Sequence, residues 1–183
     1  MVRMLSWFRA TPRIDAATQR YIDIVGAARN PALFEAMELP DSLDGRFEAI
    51  ALHAWLVMRR LKRIPEAKPV SQRLFDILFQ DMDQNLREMG ASDIVVGDRV
   101  KTMAKGFYGR ITAYDEGLAK GDAVLRDALT RNAYGAAPTP PSPAALAGMS
   151  SYLRNVDAAL QGLSDQRMLS VEPLSWPAVP ALA

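Results

Sequence analysis

The sequence has 183 residues, a formal net charge of +1 and no cysteine. This length gives one main domain as the natural expectation and is enough to bury a hydrophobic core. The absence of cysteine excludes disulfides, thiolate metal sites and a cysteine nucleophile, while the near-neutral charge argues neither for nor against a nucleic-acid partner. No apolar run approaches the roughly 20 residues of a membrane-spanning helix, which predicts a soluble chain.

The first segment, residues 1–12, mixes Arg3 and Arg9 with Leu5, Trp7 and Phe8. It lacks the long apolar core and the cleavage site of a secretory signal. We therefore expect a frayed or docked terminus, and the alternative is a short interfacial segment that contacts an anionic membrane surface.

Residues 13–131 show helical periodicity interrupted by short turns, and strict period-two alternation is absent. The longest element runs from Leu43 to Ile64, with a heptad seam and apolar residues on its other faces as well, which predicts a central helix. Gly97 and Asp98 are expected to break a short helix from the longer one that follows. The sequence therefore predicts an all-α bundle of about six to seven helices with an irregular C-terminal tail.

The composition changes after Arg131. Residues 132–145 are rich in proline and alanine and are interpreted as a linker. Residues 146–183 are predicted to form a C-terminal helix and an extended tail. Because charged residues are sparse here, we expect an appendage with a role or an origin different from that of the helical domain.

The stretch from Leu74 to Gly90 predicts an amphipathic helix that ends at the glycine. Asp81 and Asp83 invite comparison with a metal site, but two positions apart on a helix they point about 200° away from each other. We therefore predict no metal site here and interpret the charges as a solvated or contact surface.

No motif of an enzyme is present: no phosphate-binding glycine loop, nucleophile elbow or dinucleotide fingerprint. His53 is the only histidine and lies in the most apolar helix, which favours a hydrogen-bonded core residue. Two alternatives remain. One is a haem or lipid carrier that binds its ligand near His53 and Trp55. The other is a ribosome- or RNA-associated protein that uses basic clusters at residues 59–63 and around Lys101, Lys105, Tyr108 and Arg110.

Four pieces of the sequence, taken in order, resemble the ubiquinol–cytochrome c chaperone family of cytochrome bc1 assembly factors. They are PDSLDGRFE at 40–48, LFD at 74–76, DMDQNLREMG at 81–90, and Lys101 followed by FYGR at 107–110. The resemblance covers about residues 21–132. It implies a non-enzymatic protein without a resident cofactor, with transient haem association left open. It also implies binding to newly made cytochrome b or another bc1 subunit as client.

The resemblance further implies a small partner protein, contact with the ribosome or the membrane periphery, and no specific nucleic acid. Because the long N-terminal extension of mitochondrial members is not seen, we expect a bacterial, cytoplasmic protein, in contact with the inner membrane at most peripherally. The predicted contact residues are Asp44, Arg46, Asp81, Asp83, Arg87, Lys101, Tyr108 and Arg110. We expect the last six of them to form one exposed polar surface without a deep pocket.

Overall fold

The computed structural model describes residues 15–88, 90 and 92–181, so the predicted N-terminal segment 1–12 lies outside the described residues. The described chain is all-α, as predicted, and contains no strand. Two of its eight α-helices are single turns, which accounts for the difference from the expected six to seven. The helices are α1 Ala16–Ala28, α2 Ala32–Glu35, α3 Leu43–Leu61, α4 Lys68–Glu88, α5 Asp93–Lys120, α6 Asp122–Arg131, α7 Pro143–Gln161 and α8 Asp165–Met168, with a 3-10 turn at Pro65–Ala67.

Helix α3 lies at the centre of the bundle and packs against α1, α4 and α7. Its apolar residues on several faces are buried, with Trp55 and Leu56 at most 1% exposed. Gly45 in its first turn is also required, because a Cβ there would lie 1.9 Å from the carbonyl oxygen of Pro40. The predicted central helix is thus confirmed.

Helix α5 is longer than the sequence predicts, because Gly97 and Asp98 do not interrupt it. A single glycine costs a helix only about 1 kcal/mol relative to alanine, and no proline removes a backbone donor here. By contrast Gly90, with φ of 85°, stands just beyond the end of α4 as expected. Gly121, with φ of 116°, separates α5 from α6.

The region after Arg131 packs into the same hydrophobic core as the other helices. Five large side chains of α7 are at most 1% exposed: Met149, Tyr152, Leu153, Val156 and Leu160. In the segment interpreted as a linker, the buried Tyr134 hydroxyl donates to the carbonyl oxygen of Met37 at 2.6 Å. The expected separation of an appendage is therefore not found in the packing.

Each helix in the described part of the chain is too short or too polar to cross a membrane.

Candidate functional site

A groove of about 1360 Å³ opens between the C-terminal half of α1, α2, the first turns of α3, the end of α4 and the start of α5. Buried side chains of Phe47, Met82 and Leu86 lie along its floor, and Leu43, half exposed, lies at its edge. Its remaining lining residues are Val25, Ala28, Arg29, Pro31, Phe34, Glu35, Asp41, Ser42, Asp44, Arg46, Ile50, Asp81, Asn85, Glu88, Asp98, Arg99, Thr102 and Met103. The groove thus combines an apolar floor with a charged rim.

Carboxylates outnumber guanidiniums among the described residues that line the groove, six against three. Arg46 pairs with Asp41 at 2.7 Å, and both side chains are well exposed. Asp44 stands in the first turn of α3, where a carboxylate is favoured by the helix dipole. Because the arginines are fewer, the rim carries excess negative charge.

Asp81 is held in the groove wall by neutral hydrogen-bond donors. The Tyr21 hydroxyl donates to one of its oxygens at 2.6 Å, and the Asn85 amide donates to the same oxygen at 2.9 Å. Burial, together with the neighbouring Asp81 carboxylate, raises the pKa of Tyr21 well above its usual range. Tyr21 therefore stays protonated and acts as a fixed donor.

Asp83 faces away from this groove. It pairs with Arg87 at 2.5 Å and lines a smaller depression of about 380 Å³ on the outer side of α4 and α5. On that side the exposed Tyr108 stacks on Phe75, with ring centroids 5.4 Å apart. Lys101 is exposed two turns before Tyr108 on α5. These four predicted contact residues therefore belong to a second surface.

Arg110 belongs to neither surface alone, because its guanidinium turns inward. It forms two hydrogen bonds to the carboxylate of Glu48, one of them 2.9 Å long, and lies 5.9 Å from the centre of the Phe47 ring. Gly106 leaves the space for it, since a Cβ there would lie 2.7 Å from a guanidinium nitrogen. The pair fixes α5 to α3 beneath the groove.

The expectation of one continuous polar surface without a deep pocket is therefore wrong. Asp44, Arg46 and Asp81 line the large groove, whereas the other five predicted residues lie on the outer side of α4 and α5 or in the ion pair with Glu48. The physical reason is the helical spacing of Asp81 and Asp83, which places them on nearly opposite sides of α4. Whether any of the eight contacts a client stays a prediction.

Residues 35–176 match the family model described as Ubiquinol-cytochrome C chaperone, which is more than three quarters of the chain. The chain belongs to this family. The match begins later than the expected residue 21 and continues far beyond residue 132. It therefore includes α7 and part of the tail, consistent with their packing into the common core.

Relatives of this ubiquinol–cytochrome c chaperone family member include ubiquinol-cytochrome-c reductase complex assembly factor 1 of Xenopus laevis, 30% identical over 64% of this chain and 59% of that protein. Protein CBP3, mitochondrial, of Saccharomyces cerevisiae is 31% identical over 56% of this chain and 32% of its own length. The chain thus spans between about a third and three fifths of these relatives. The crystal structure of the Cbp3 homolog from Brucella abortus superimposes with a TM-score of 0.77 at 31% identity, covering 90% of both chains.

His53 is a core residue in this family member, as predicted. It is 1% exposed, its Nδ1–H donates to the carbonyl oxygen of Ala49 at 2.7 Å, and its Nε2 accepts from the Tyr152 hydroxyl at 2.8 Å. Trp176 covers the ring at a centroid distance of 5.2 Å. Both nitrogens are engaged, so haem ligation at His53 would require breaking one of these hydrogen bonds.

The basic run at residues 59–63 is divided between structural and exposed positions. Arg59 pairs with Asp115 and Asp157, at 2.8 and 3.2 Å. Arg60 is buried and donates to the carbonyl oxygens of Leu160 and Leu163. Only the remaining cations of the run, Lys62 and Arg63, are exposed. The run therefore serves largely to anchor neighbouring helices and the tail.

Replacing Arg110 with methionine should lower the free energy of unfolding by about 2 kcal/mol at pH 7, because the buried Glu48 carboxylate loses its partner. Burial raises the pKa of Glu48, and Arg110 opposes that rise. Without Arg110 the folded state binds the Glu48 proton more tightly than the unfolded state does, so the loss should shrink as the pH falls. Urea unfolding at pH 7 and pH 5 measures both effects.

The control for this substitution is Arg46→Met, which breaks a well-exposed ion pair and should leave the free energy of unfolding almost unchanged. The double variant Arg110→Met/Glu48→Met should recover much of the stability, since neither charge is left buried. An Arg110→Met cost no larger than that of Arg46→Met would show that the ion pair does not fix α5 to α3.

Proposed function

We propose that this protein is a non-enzymatic assembly chaperone that binds newly made cytochrome b and supports assembly of the cytochrome bc1 complex. Membership of the ubiquinol–cytochrome c chaperone family supports this function, as do the names of the relatives as assembly factors. The observation that carries the proposal is the groove between α1 and α5. A groove of about 1360 Å³ is larger than most small-molecule sites and suits a segment of polypeptide.

The composition of the groove fits a client that is a membrane protein before insertion. The groove offers apolar contact, through Phe47, Met82 and Leu86, to a client segment that is not yet inserted into a bilayer. Methionine side chains can adapt to segments of different shape. The polar rim limits aggregation of the empty chaperone. We also propose that the protein acts at the cytoplasmic face of the membrane. A small partner protein would bind on the outer side of α4 and α5.

Site-specific crosslinking during translation of cytochrome b tests the groove directly. A photoreactive amino acid at position 43, where Leu43 is 51% exposed at the groove edge, should form an adduct with the nascent client. The matched control is position 171, because Val171 is 52% exposed on the tail and does not line the groove. Equal adducts at both positions, or none at position 43, would contradict the groove as client site.

Deletion of the gene in the source organism tests the role in assembly. Cytochrome b and the activity of the bc1 complex should fall together, and the wild-type chain should restore both. Normal bc1 activity in the deletion strain would overturn the proposed function.

A further inference from the structure

We infer that the groove binds the positively charged end of a membrane-spanning segment of its client. This inference rests on the proposed function, since it takes the client to be an uninserted membrane protein. It goes further by specifying which part of the client is bound and which chemistry selects it.

The rim of the groove carries a net negative charge, because its carboxylates outnumber the cations that could neutralise them. Glu35, Asp44 and Asp98 line the groove and form no ion pair within 4 Å among the described residues, although Asp44 also feels the charge of Arg110, which is paired with Glu48. Asp81 and Glu88 accept hydrogen bonds from neutral groups, the hydroxyl of Tyr21 and the amides of Asn85 and Gln84. Against these carboxylates stand the cations Arg29 and Arg99, while Arg46 is neutralised by Asp41. A bound segment therefore meets an apolar floor beneath a net negative rim.

The dimensions of the groove allow it to hold part of a membrane-spanning segment. A helix about 10 Å across would fill a groove of about 1360 Å³ with roughly three turns. A complete spanning helix has about 20 residues and is about 30 Å long, so most of it would extend beyond the groove. The groove can therefore recognise one end of the segment.

Charge decides which end is recognised. The cytoplasmic flanks of membrane-spanning segments carry an excess of lysine and arginine. Their long aliphatic stems can lie along apolar walls while the charged heads reach a polar rim. The acidic rim is complementary to this flank, and an acidic or uncharged flank would lack the attraction. The groove would thus hold the client by the end that stays on the cytoplasmic side of the membrane.

Binding of three labelled peptides to the purified protein tests the inference. The peptides share one short apolar sequence and end in lysines, serines or glutamates, and fluorescence anisotropy reports their affinities. The lysine peptide should bind about tenfold more tightly than the serine peptide, and the glutamate peptide most weakly. The preference should decline at high salt, because exposed charges are screened.

The double variant Asp44→Asn/Asp98→Asn should reduce the affinity for the lysine peptide about fivefold and leave the serine peptide unaffected. The control Glu66→Gln/Asp127→Asn changes the net charge by the same amount at exposed positions outside the groove, and should bind like wild type.

Equal affinity for the three peptides, or an equal loss in the control, would overturn the inference. The proposed function would survive that result if crosslinking at position 43 still captured cytochrome b. Conversely, the purified protein could show a lysine preference that depends on Asp44 and Asp98 while the deletion strain keeps normal bc1 activity. That combination would support the groove as a site for basic apolar segments and would exclude cytochrome b as the client.

Discussion

A chain that ends at Ala136 is expected to lose cooperative folding. The truncation removes α7, whose five large buried side chains lie in the common core. Full burial of such a side chain contributes about 1.5–3 kcal/mol, so the truncation removes roughly 10 kcal/mol of gross apolar stabilisation, before the entropy of ordering α7 is subtracted. The truncation also exposes the core residues of α3 and α6 that α7 covers, in a domain whose net stability is ordinarily about 5–15 kcal/mol. Circular dichroism and urea unfolding should show reduced helicity and no cooperative transition.

The matched control is a chain that ends at Pro177. It keeps α7 and also Trp176, whose ring covers His53, and loses only the final residues of the tail. It should unfold cooperatively, with a stability within about 2 kcal/mol of the full chain. If the shorter chain ending at Ala136 also unfolded cooperatively with its helices intact, the C-terminal part would be a separable appendage after all.

The second large effect is the dependence of stability on His53 below neutral pH. Burial lowers the pKa of His53 to about 4 in the folded protein, from about 6.5 when unfolded. The unfolded chain therefore takes up a proton as the pH falls below 6.5, and the folded chain does not until about pH 4. The neutral imidazole makes its complete contribution to the free energy of unfolding above pH 6.5. This contribution falls by about 3 kcal/mol between pH 6.5 and pH 4.

The variant His53→Gln isolates this effect, because its amide is neutral at every pH and can still form hydrogen bonds. Other groups with shifted pKa values, including Glu48 and Asp122, are present in both proteins and contribute alike. The wild type should lose about 3 kcal/mol more than the variant between pH 7 and pH 4 in urea unfolding. Parallel stability curves would show that His53 does not titrate differently in the two states.

Helical spacing predicted the individual elements well, because each helix must bury its apolar face. The many apolar faces of α3 indicated its central place, and His53 on such a face was correctly assigned to the core. Contrary to the expectation, the single glycine at position 97 does not end a helix, since it has neither a neighbouring proline nor a positive φ.

The groove could not be predicted in the same way. Its walls come from residues far apart in sequence, such as Val25, Leu86 and Asp98, and periodicity does not say which helices become neighbours. The partner of Arg110 illustrates the difficulty, since Glu48 lies 62 positions away. Glu48 stands inside the motif at 40–48, but its spacing within α3 does not indicate that a cation from α5 would reach it.

The buried Arg20 links the two ends of the described chain and thereby influences the order of folding. Its guanidinium pairs with Asp23 at 3.2 Å and donates to the carbonyl oxygens of Arg167 and Glu172. Helix α1, which also supplies one wall of the groove, is therefore fixed by residues that leave the ribosome about 150 positions later. Contacts of such long range form late in folding. A nascent copy of this chain should thus complete the groove only near the end of its own synthesis.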